Sequence, residues 1–129
     1  MMTEVVRFGE VEVRLRTDWE VGIGGSTWSC GLKVCAYVSE NLEALRSRRR
    51  EGGRLRVCEL GAGTGVVGLY LAAACGAEVV LTDLEDHVEL LRANAALNRD
   101  GAGEARVERW DWDDDDDADA VLGDEAEPF

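Results

Sequence analysis

The sequence has few of the residues that build metal centres and disulfide frameworks. It contains a single histidine, His87, and four cysteines, none of which stands in a C-x-x-C pair. Their apolar neighbours are typical of small buried thiols in a reducing compartment. The composition therefore predicts neither a metal site nor a disulfide-stabilised fold. The expected location is the cytoplasm, with the nucleus as the alternative.

Long apolar runs are also lacking, since no stretch reaches the roughly 18 residues that a membrane-spanning helix needs. The N-terminus has no apolar core of the kind found in signal peptides. The net charge is −13, and residues 101–129 hold 12 acidic but only 2 basic side chains. Such an end repels phosphate backbones, so nucleic acid is not an expected partner, and the lack of a long apolar run makes a membrane an unexpected partner as well. We interpret it as a solvated segment, and the alternative is that it attracts a basic protein.

The first third of the chain predicts a hairpin and a helix. Apolar and charged residues alternate over residues 11–16, which predicts a half-buried strand, and residues 5–8 provide its partner across a Gly9–Glu10 turn. An apolar stripe at helical spacing then runs from Trp28 to Leu45. We expect one long helix there, with Ser26 as its N-cap.

The remainder predicts alternating strands and helices. The expected strands are 55–60, 77–81 and 105–110, and the expected helices are 64–75 and 84–98. An acid-rich loop follows, and residues 118–124 are a weak fourth strand. This alternation indicates an α/β fold with a parallel sheet of about four strands. We expect a single domain over residues 1–129, with a hairpin and helix (1–53), a ligand-binding core (54–112) and an acidic remnant (113–129).

A glycine-rich loop, CELGAGTG, separates the first predicted core strand from its helix. A dinucleotide-binding fingerprint would need a third glycine at the position of Val66, which argues against a nucleotide-dependent oxidoreductase. Asp83 ends the next strand 22 residues after Gly61, where a carboxylate meets ribose hydroxyls in doubly wound folds. The glycine loop and Asp83 together indicate an adenosine ligand without a 2′-phosphate.

Five segments occur in a characteristic order: GGSTW, ELGAGTGVVGL, AEVVLTDLED, LLRANAALN and WDW. With them the chain resembles the seven-β-strand protein-lysine N-methyltransferases of the methyltransferase-like family, over roughly residues 8–124. The resemblance implies a partial Rossmann-like class I methyltransferase sheet with an N-terminal β-hairpin and helix. It also implies S-adenosyl-L-methionine as cofactor and a lysine side chain of a protein, a chaperone or an ATPase, as substrate. A monomer is expected.

The resemblance implies roles for individual residues. Six are expected to bind the cofactor: Trp28, Gly61, Ala62, Gly63, Asp83 and Trp112. The glycine loop would pass under the methionine part and the ribose, Asp83 would hold the ribose hydroxyls, and Trp28 would close over the cofactor. Trp112 would lie beside the adenine, with Trp110 as the alternative, and Glu59 would orient the amino end. No nucleophile or metal is needed, and no catalytic residue is assigned.

Several of these residues also have plainer explanations. Trp28 fits the apolar core stripe, and Asp83 fits a cap for the following helix. Gly65 and Gly68 fit a need for close contact between helix and sheet. His87 is expected to be an exposed surface residue at the start of a helix rather than a base.

The end of the sequence departs from the family pattern. Family members carry a fourth strand followed by an acidic-x-x-aromatic motif at the substrate channel. Residues 118–124 resemble that strand, but aligning Asp124 with the family's acid places Glu127 where an aromatic residue is expected. We therefore expect a C-terminally truncated methyltransferase domain that binds cofactor weakly and turns over little, if at all. The alternative function is a non-catalytic methyltransferase-fold protein whose acidic end holds a basic partner.

Overall fold

A computed structural model describes residues 1–49, 51–123 and 129. The strands are β1 (Met2–Phe8), β2 (Val11–Thr17), β3 (Arg56–Glu59), β4 (Glu78–Asp83) and β5 (Glu104–Arg109). The helices are α1 (Ser29–Glu40), α2 (Leu42–Arg46), α3 (Val66–Cys75), α4 (Glu85–Leu97) and α5 (Asp115–Leu122), with 3-10 turns at Trp19–Val21 and Ile23–Gly25. Among these described helices, none has the length and apolar character that crossing a bilayer requires.

The central sheet is parallel and has the strand order β3-β4-β5. Two right-handed crossovers in the same direction place α3 and α4 on one face of it. Val79 and Leu81 of β4 pack there with Leu69 of α3 and Leu91 of α4, all of them almost fully buried. The predicted α/β fold and its βαβαβ core are therefore confirmed, as a partial Rossmann-like sheet.

The N-terminal hairpin is the predicted one, with β1 and β2 antiparallel. Two asparagines, Asn94 of α4 and its C-cap residue Asn98, hold the outer edge of β2. The Asn94 side-chain oxygen accepts from the Arg16 N–H at 2.6 Å, and its amide donates to the carbonyls of Arg16 at 3.0 Å and Thr64 at 2.9 Å. Asn98 pairs with the N–H and carbonyl of Arg14 at 3.0 and 2.8 Å. One helix face thus joins the hairpin to the glycine loop.

The single long helix predicted after the hairpin is wrong in two respects. Ser26 is not its N-cap, because Trp28 is still extended and donates its indole N–H to the Ile23 carbonyl at 2.9 Å, so that α1 begins one residue later. The helix also breaks at Asn41, whose side-chain amide donates to the Tyr37 carbonyl at 2.8 Å. At Asn41, a local bond from the side chain to the backbone competes with the continuation of the helix.

The acidic segment after β5 forms a helix, so the predicted loop and strand over residues 118–124 are wrong where the structure describes them. The Asp114 carboxylate accepts from the Asp116 N–H at 3.0 Å and caps α5, and acidic residues in the first turn favour the helix dipole. Val121 is buried, and its carbonyl accepts from Arg106 of β5 at 3.4 Å. Residue 124 lies outside the described residues.

Candidate cofactor site

The glycine loop lies between the end of β3 and the start of α3. Gly61, Gly63 and Gly65 have φ angles of 63°, 57° and 83°, in the left-handed region that residues with a Cβ avoid. The Ala62 N–H donates to the Thr82 carbonyl at 2.9 Å and fixes the loop against β4. The backbone is therefore held in a tight turn at the carboxyl edge of the sheet, where doubly wound folds bind ligands.

Asp83, the last residue of β4, is joined to this loop. Its Oδ2 accepts from the Gly63 N–H at 2.7 Å, and its Oδ1 accepts from the Leu84 N–H at 2.8 Å. A carboxylate offers about four acceptor positions, so about two remain for hydroxyl donors. Asp83 thus positions the loop and the start of α4 while keeping the capacity to bind a ribose diol.

A groove of about 330 Å³ opens beside this carboxylate. It is lined by Gly61, Asp83, Leu84, Trp110, Asp111, Trp112 and Asp113. The Trp110 N–H donates to the Asp83 carbonyl at 2.9 Å, which brings the chain after β5 against the end of β4. Four of the six predicted cofactor residues therefore lie at or beside one groove, since Gly63 also bonds to Asp83.

The walls of the groove are apolar and exposed. Trp112 is 69% exposed and Leu84 49%. The Trp112 ring faces the loop, because a Cβ on Gly61 would lie 3.6 Å from its Cζ2. Trp110 lines the same groove but is less exposed. A flat base has two hydrophobic faces to stack on here, and both tryptophans remain candidates for that contact.

The charge of the groove determines which nucleoside-containing ligands can bind. Three carboxylates, Asp83, Asp111 and Asp113, line it, and none of its lining residues in the described part of the chain is basic. A diphosphate would be repelled here, whereas a ligand with a sulfonium or ammonium group would be attracted. A base, a diol and a positive centre are therefore the features that this site fits.

Glu59 lies behind the loop, at the end of β3. Its Oε2 accepts from the Gly68 N–H at 2.8 Å, and its carbonyl accepts from the Thr82 hydroxyl at 2.7 Å. Burial raises the pKa of the Glu59 carboxyl to about 7, the Gly68 N–H opposes that rise, and the Asp83 charge adds to it. A Cβ on Gly68 would lie 2.6 Å from Glu59 Oε2, so this glycine allows the close helix–sheet contact given above as its alternative role.

His87 is not the exposed residue that its position in the sequence predicts. Its side chain is 16% exposed, and Nδ1 lies 3.4 Å from Asp83 Oδ1. Neither ring nitrogen has a hydrogen-bond partner among the described residues. The ring lies so close to Gly24 that a Cβ there would overlap it. Tertiary packing of the Ile23–Gly25 turn on α4 covers His87, and helix position alone does not show this.

Trp28 does not line the groove beside Asp83. It is 53% exposed and lines a second groove with residues of the hairpin and of the Trp19–Val21 turn. It is therefore not part of the core stripe either. Thr27, which lines this second groove, is in contact with the glycine loop, because its hydroxyl lies 3.2 Å from the Thr64 hydroxyl. The role of Trp28 over the cofactor stays a prediction.

Sequence reasoning missed some of the residues that build the site. Asn94 is fully buried and holds the glycine loop through the Thr64 carbonyl. Its spacing of four from Asn98 on one helix face was the available signal. Asp124 and Glu127, where the substrate-channel motif was sought, lie outside the described residues.

Comparison with known proteins agrees with this geometry. A family profile described as lysine methyltransferase matches residues 7–126. The chain is 37% identical over 87 residues to the protein N-lysine methyltransferase METTL21A of Danio rerio, covering 67% of this chain and 36% of that protein. It is 34% identical over 98 residues to the EEF1A lysine methyltransferase 3 of Mus musculus, covering 76% and 39%. It is also 34% identical over 88 residues to the protein-lysine N-methyltransferase EFM6 of Saccharomyces cerevisiae, covering 61% and 36%.

The matched part spans less than half the length of these relatives. The profile match nevertheless extends over nearly all of this chain, from the hairpin to beyond α5. It includes the glycine loop, Asp83 and the groove residues after β5. The chain belongs to the lysine methyltransferase family.

Proposed function

We propose that this chain supplies the cofactor-binding part of an S-adenosylmethionine-dependent protein-lysine N-methyltransferase. Membership of a methyltransferase family implies a methyl donor. The observation that supports S-adenosylmethionine is the acidic, tryptophan-lined groove at the ends of β4 and β5. That lining accommodates a cationic nucleoside and disfavours a diphosphate cofactor.

Each part of the cofactor has a candidate partner in the chain. The free acceptor positions of Asp83 suit the ribose hydroxyls, and Leu84 with Trp112 or Trp110 suits the adenine. The loop from Gly61 to Gly63 lies alongside and lets the ligand approach the backbone. Glu59 lies behind the loop, where its Oε2 accepts from the Gly68 N–H, and we expect it to orient the amino end of the cofactor from there.

The bound cofactor supplies a methyl group on a positively charged sulfur, already activated for transfer. The protein's part is to hold donor and acceptor in line and to exclude water. A lysine amine attacks only when neutral, so an apolar approach path assists by lowering the pKa of the amine. The tryptophans beside the groove provide apolar surface of this kind.

The substrate is proposed to be a lysine of another protein. Two relatives are named for such activity, as protein N-lysine methyltransferase METTL21A and EEF1A lysine methyltransferase 3. Within the family, the sequence motifs resemble those of the valosin-containing-protein lysine methyltransferase, so an ATPase or chaperone is a candidate substrate beside EEF1A. The acidic end offers less support for the binding-only alternative, because Asp114 and Asp117 lie 3.6 and 3.4 Å from Arg109 of the same chain.

Isothermal titration of the chain with S-adenosylhomocysteine tests the proposal. The variants are Asp83→Asn, which keeps one acceptor oxygen, and the matched control Asp86→Asn on the exposed first turn of α4. Wild type and Asp86→Asn should bind alike. Asp83→Asn should bind at least about tenfold more weakly, since a charged acceptor for hydroxyls is lost.

Circular dichroism of each variant separates misfolding from lost contacts. Equal affinity in folded wild type and folded Asp83→Asn would exclude Asp83 as the ribose ligand. A folded wild type that does not bind S-adenosylhomocysteine at all would contradict the proposed cofactor.

A further inference from the structure

The inward face of β1 carries an unexplained carboxylate. Val6 and Phe8, on the same face of this strand, pack against the core, whereas Glu4 occupies the next inward position, opposite the fully buried Leu15. The Glu4 Oε1 atom is buried and has no hydrogen-bond partner among the described residues. A buried carboxylate oxygen without a partner destabilises the fold, so a cation beside it would be favourable.

Glu4 lines a groove of about 250 Å³ between the open end of the hairpin and the start of α1. The groove is also lined by Thr17, Trp19, Ser26 and Trp28, and the Ser26 hydroxyl is likewise buried without a partner in the described part of the chain. Its size suits one extended side chain better than a nucleoside.

Two indole rings form the exposed walls of this groove. Trp19 is 70% exposed and Trp28 53%. The indole N–H of Trp28 is bound to the Ile23 carbonyl, so its ring is oriented by the protein. Aromatic faces beside a carboxylate attract an ammonium or guanidinium group through cation–π and ionic interactions together.

The arginines of the hairpin do not supply a cation to Glu4. Arg7 and Arg14, on the opposite face of the hairpin, bind Glu12 at 2.7 and 3.0 Å. Arg16 alternates with Leu15 and is exposed on that same outer face. The net charge of −13 adds a general attraction for basic segments.

We propose that the groove formed by Glu4, Trp19 and Trp28 binds a lysine side chain of the protein substrate, next to the lysine that is methylated. The Thr27–Thr64 contact supports this place, because it joins the groove to the glycine loop. Naming the partner as the substrate rests on the proposed function; the cation-binding groove itself rests on Glu4 and the two indoles.

The test is titration of the whole chain with a short Gly/Ser peptide that carries a single lysine, and with the same peptide carrying norleucine. The variants are Glu4→Gln and Trp19→Leu. The matched control is Glu10→Gln, which makes the same change of charge in the exposed hairpin turn. Wild type should prefer the lysine peptide by about tenfold, and Glu4→Gln should reduce that preference to about threefold or less.

Trp19→Leu should weaken lysine binding about fivefold, and this exposed position keeps the test valid if Glu4→Gln does not fold. Glu10→Gln should bind within about twofold of wild type. Equal weakening by Glu4→Gln and Glu10→Gln would reduce the effect to general attraction and overturn the proposal. So would equal binding of the two peptides by wild type.

Titration of the same samples with S-adenosylhomocysteine separates the two proposals. If the chain binds S-adenosylhomocysteine but shows no preference for the lysine peptide, only the proposal that the groove binds lysine is overturned. Lysine preference without cofactor binding overturns the proposed function and leaves the groove as a cation site.

Discussion

Glu59 gives the protein a stability that depends on pH in a direction opposite to most carboxylates. Burial raises the pKa of its carboxyl from 4.5 to about 7 in the folded state. The folded protein therefore holds this proton to higher pH than the unfolded chain does. Glu59 lowers stability progressively as the pH rises from about 4.5 to about 7, and its full penalty applies above that range.

The size of the effect follows from the same values. A pKa rise from 4.5 to about 7 corresponds to about 3 kcal/mol at full strength. About 2.5 kcal/mol of this develops between about pH 5 and about pH 8. Glu59→Gln cannot ionise and keeps an oxygen to accept from the Gly68 N–H. Its stability relative to wild type should therefore increase by about 2.5 kcal/mol over that interval.

Urea unfolding followed by tryptophan fluorescence, at several pH values, measures this difference. Subtracting wild type from the variant removes the pH dependence of all other groups. Glu89→Gln, at an exposed position of α4, is the matched control for the loss of one carboxylate. If the Glu59→Gln difference is constant with pH, the carboxylate is solvated and the argument from burial is wrong.

Two further predictions concern the supports of the glycine loop. Asn94→Ala removes the three hydrogen bonds of a fully buried side chain and should destabilise the fold by about 3 kcal/mol, whereas the more exposed Asn98→Ala should cost about 1 kcal/mol. Equal losses in urea unfolding would argue against the buried role of Asn94. Gly65→Ala forces a residue with a Cβ into a φ of 83° and places that Cβ 2.7 Å from Leu91. The free energy of unfolding should therefore fall by about 3 kcal/mol. The control Gly52→Ala, with a φ of 73° in open space, should cost about 1 kcal/mol, and similar values for both would show that the Leu91 contact is unimportant.

The parts that local sequence predicts well are those whose cause is local. Alternation over residues 11–16 predicts β2 because a strand has period two, and the glycine loop predicts a strand-to-helix turn because left-handed φ angles need glycine. Asp83 was placed at the ligand edge because parallel strands end together there.

The errors arise where distant contacts decide the outcome. Trp28 looked like the first residue of a core stripe, but its indole binds the preceding turn and its ring faces solvent. His87 looked exposed until the Ile23–Gly25 turn was seen to cover it. The acidic segment was expected to form a loop and a strand, yet Asp114 caps α5 and Arg109 binds the side chain of Asp117. The Asp114 cap is the exception among these cases, because it accepts from an N–H only two residues away and is therefore a local signal.

The two asparagines, Asn94 and Asn98, also have a consequence for self-association. An exposed strand edge normally offers free N–H and carbonyl groups to which a strand of another molecule can add. At Arg14 and Arg16, both groups of each residue are already bound by Asn98 and Asn94. Side-chain amides thus take the place of a further strand, so the hairpin cannot recruit another chain along this edge into a growing intermolecular sheet.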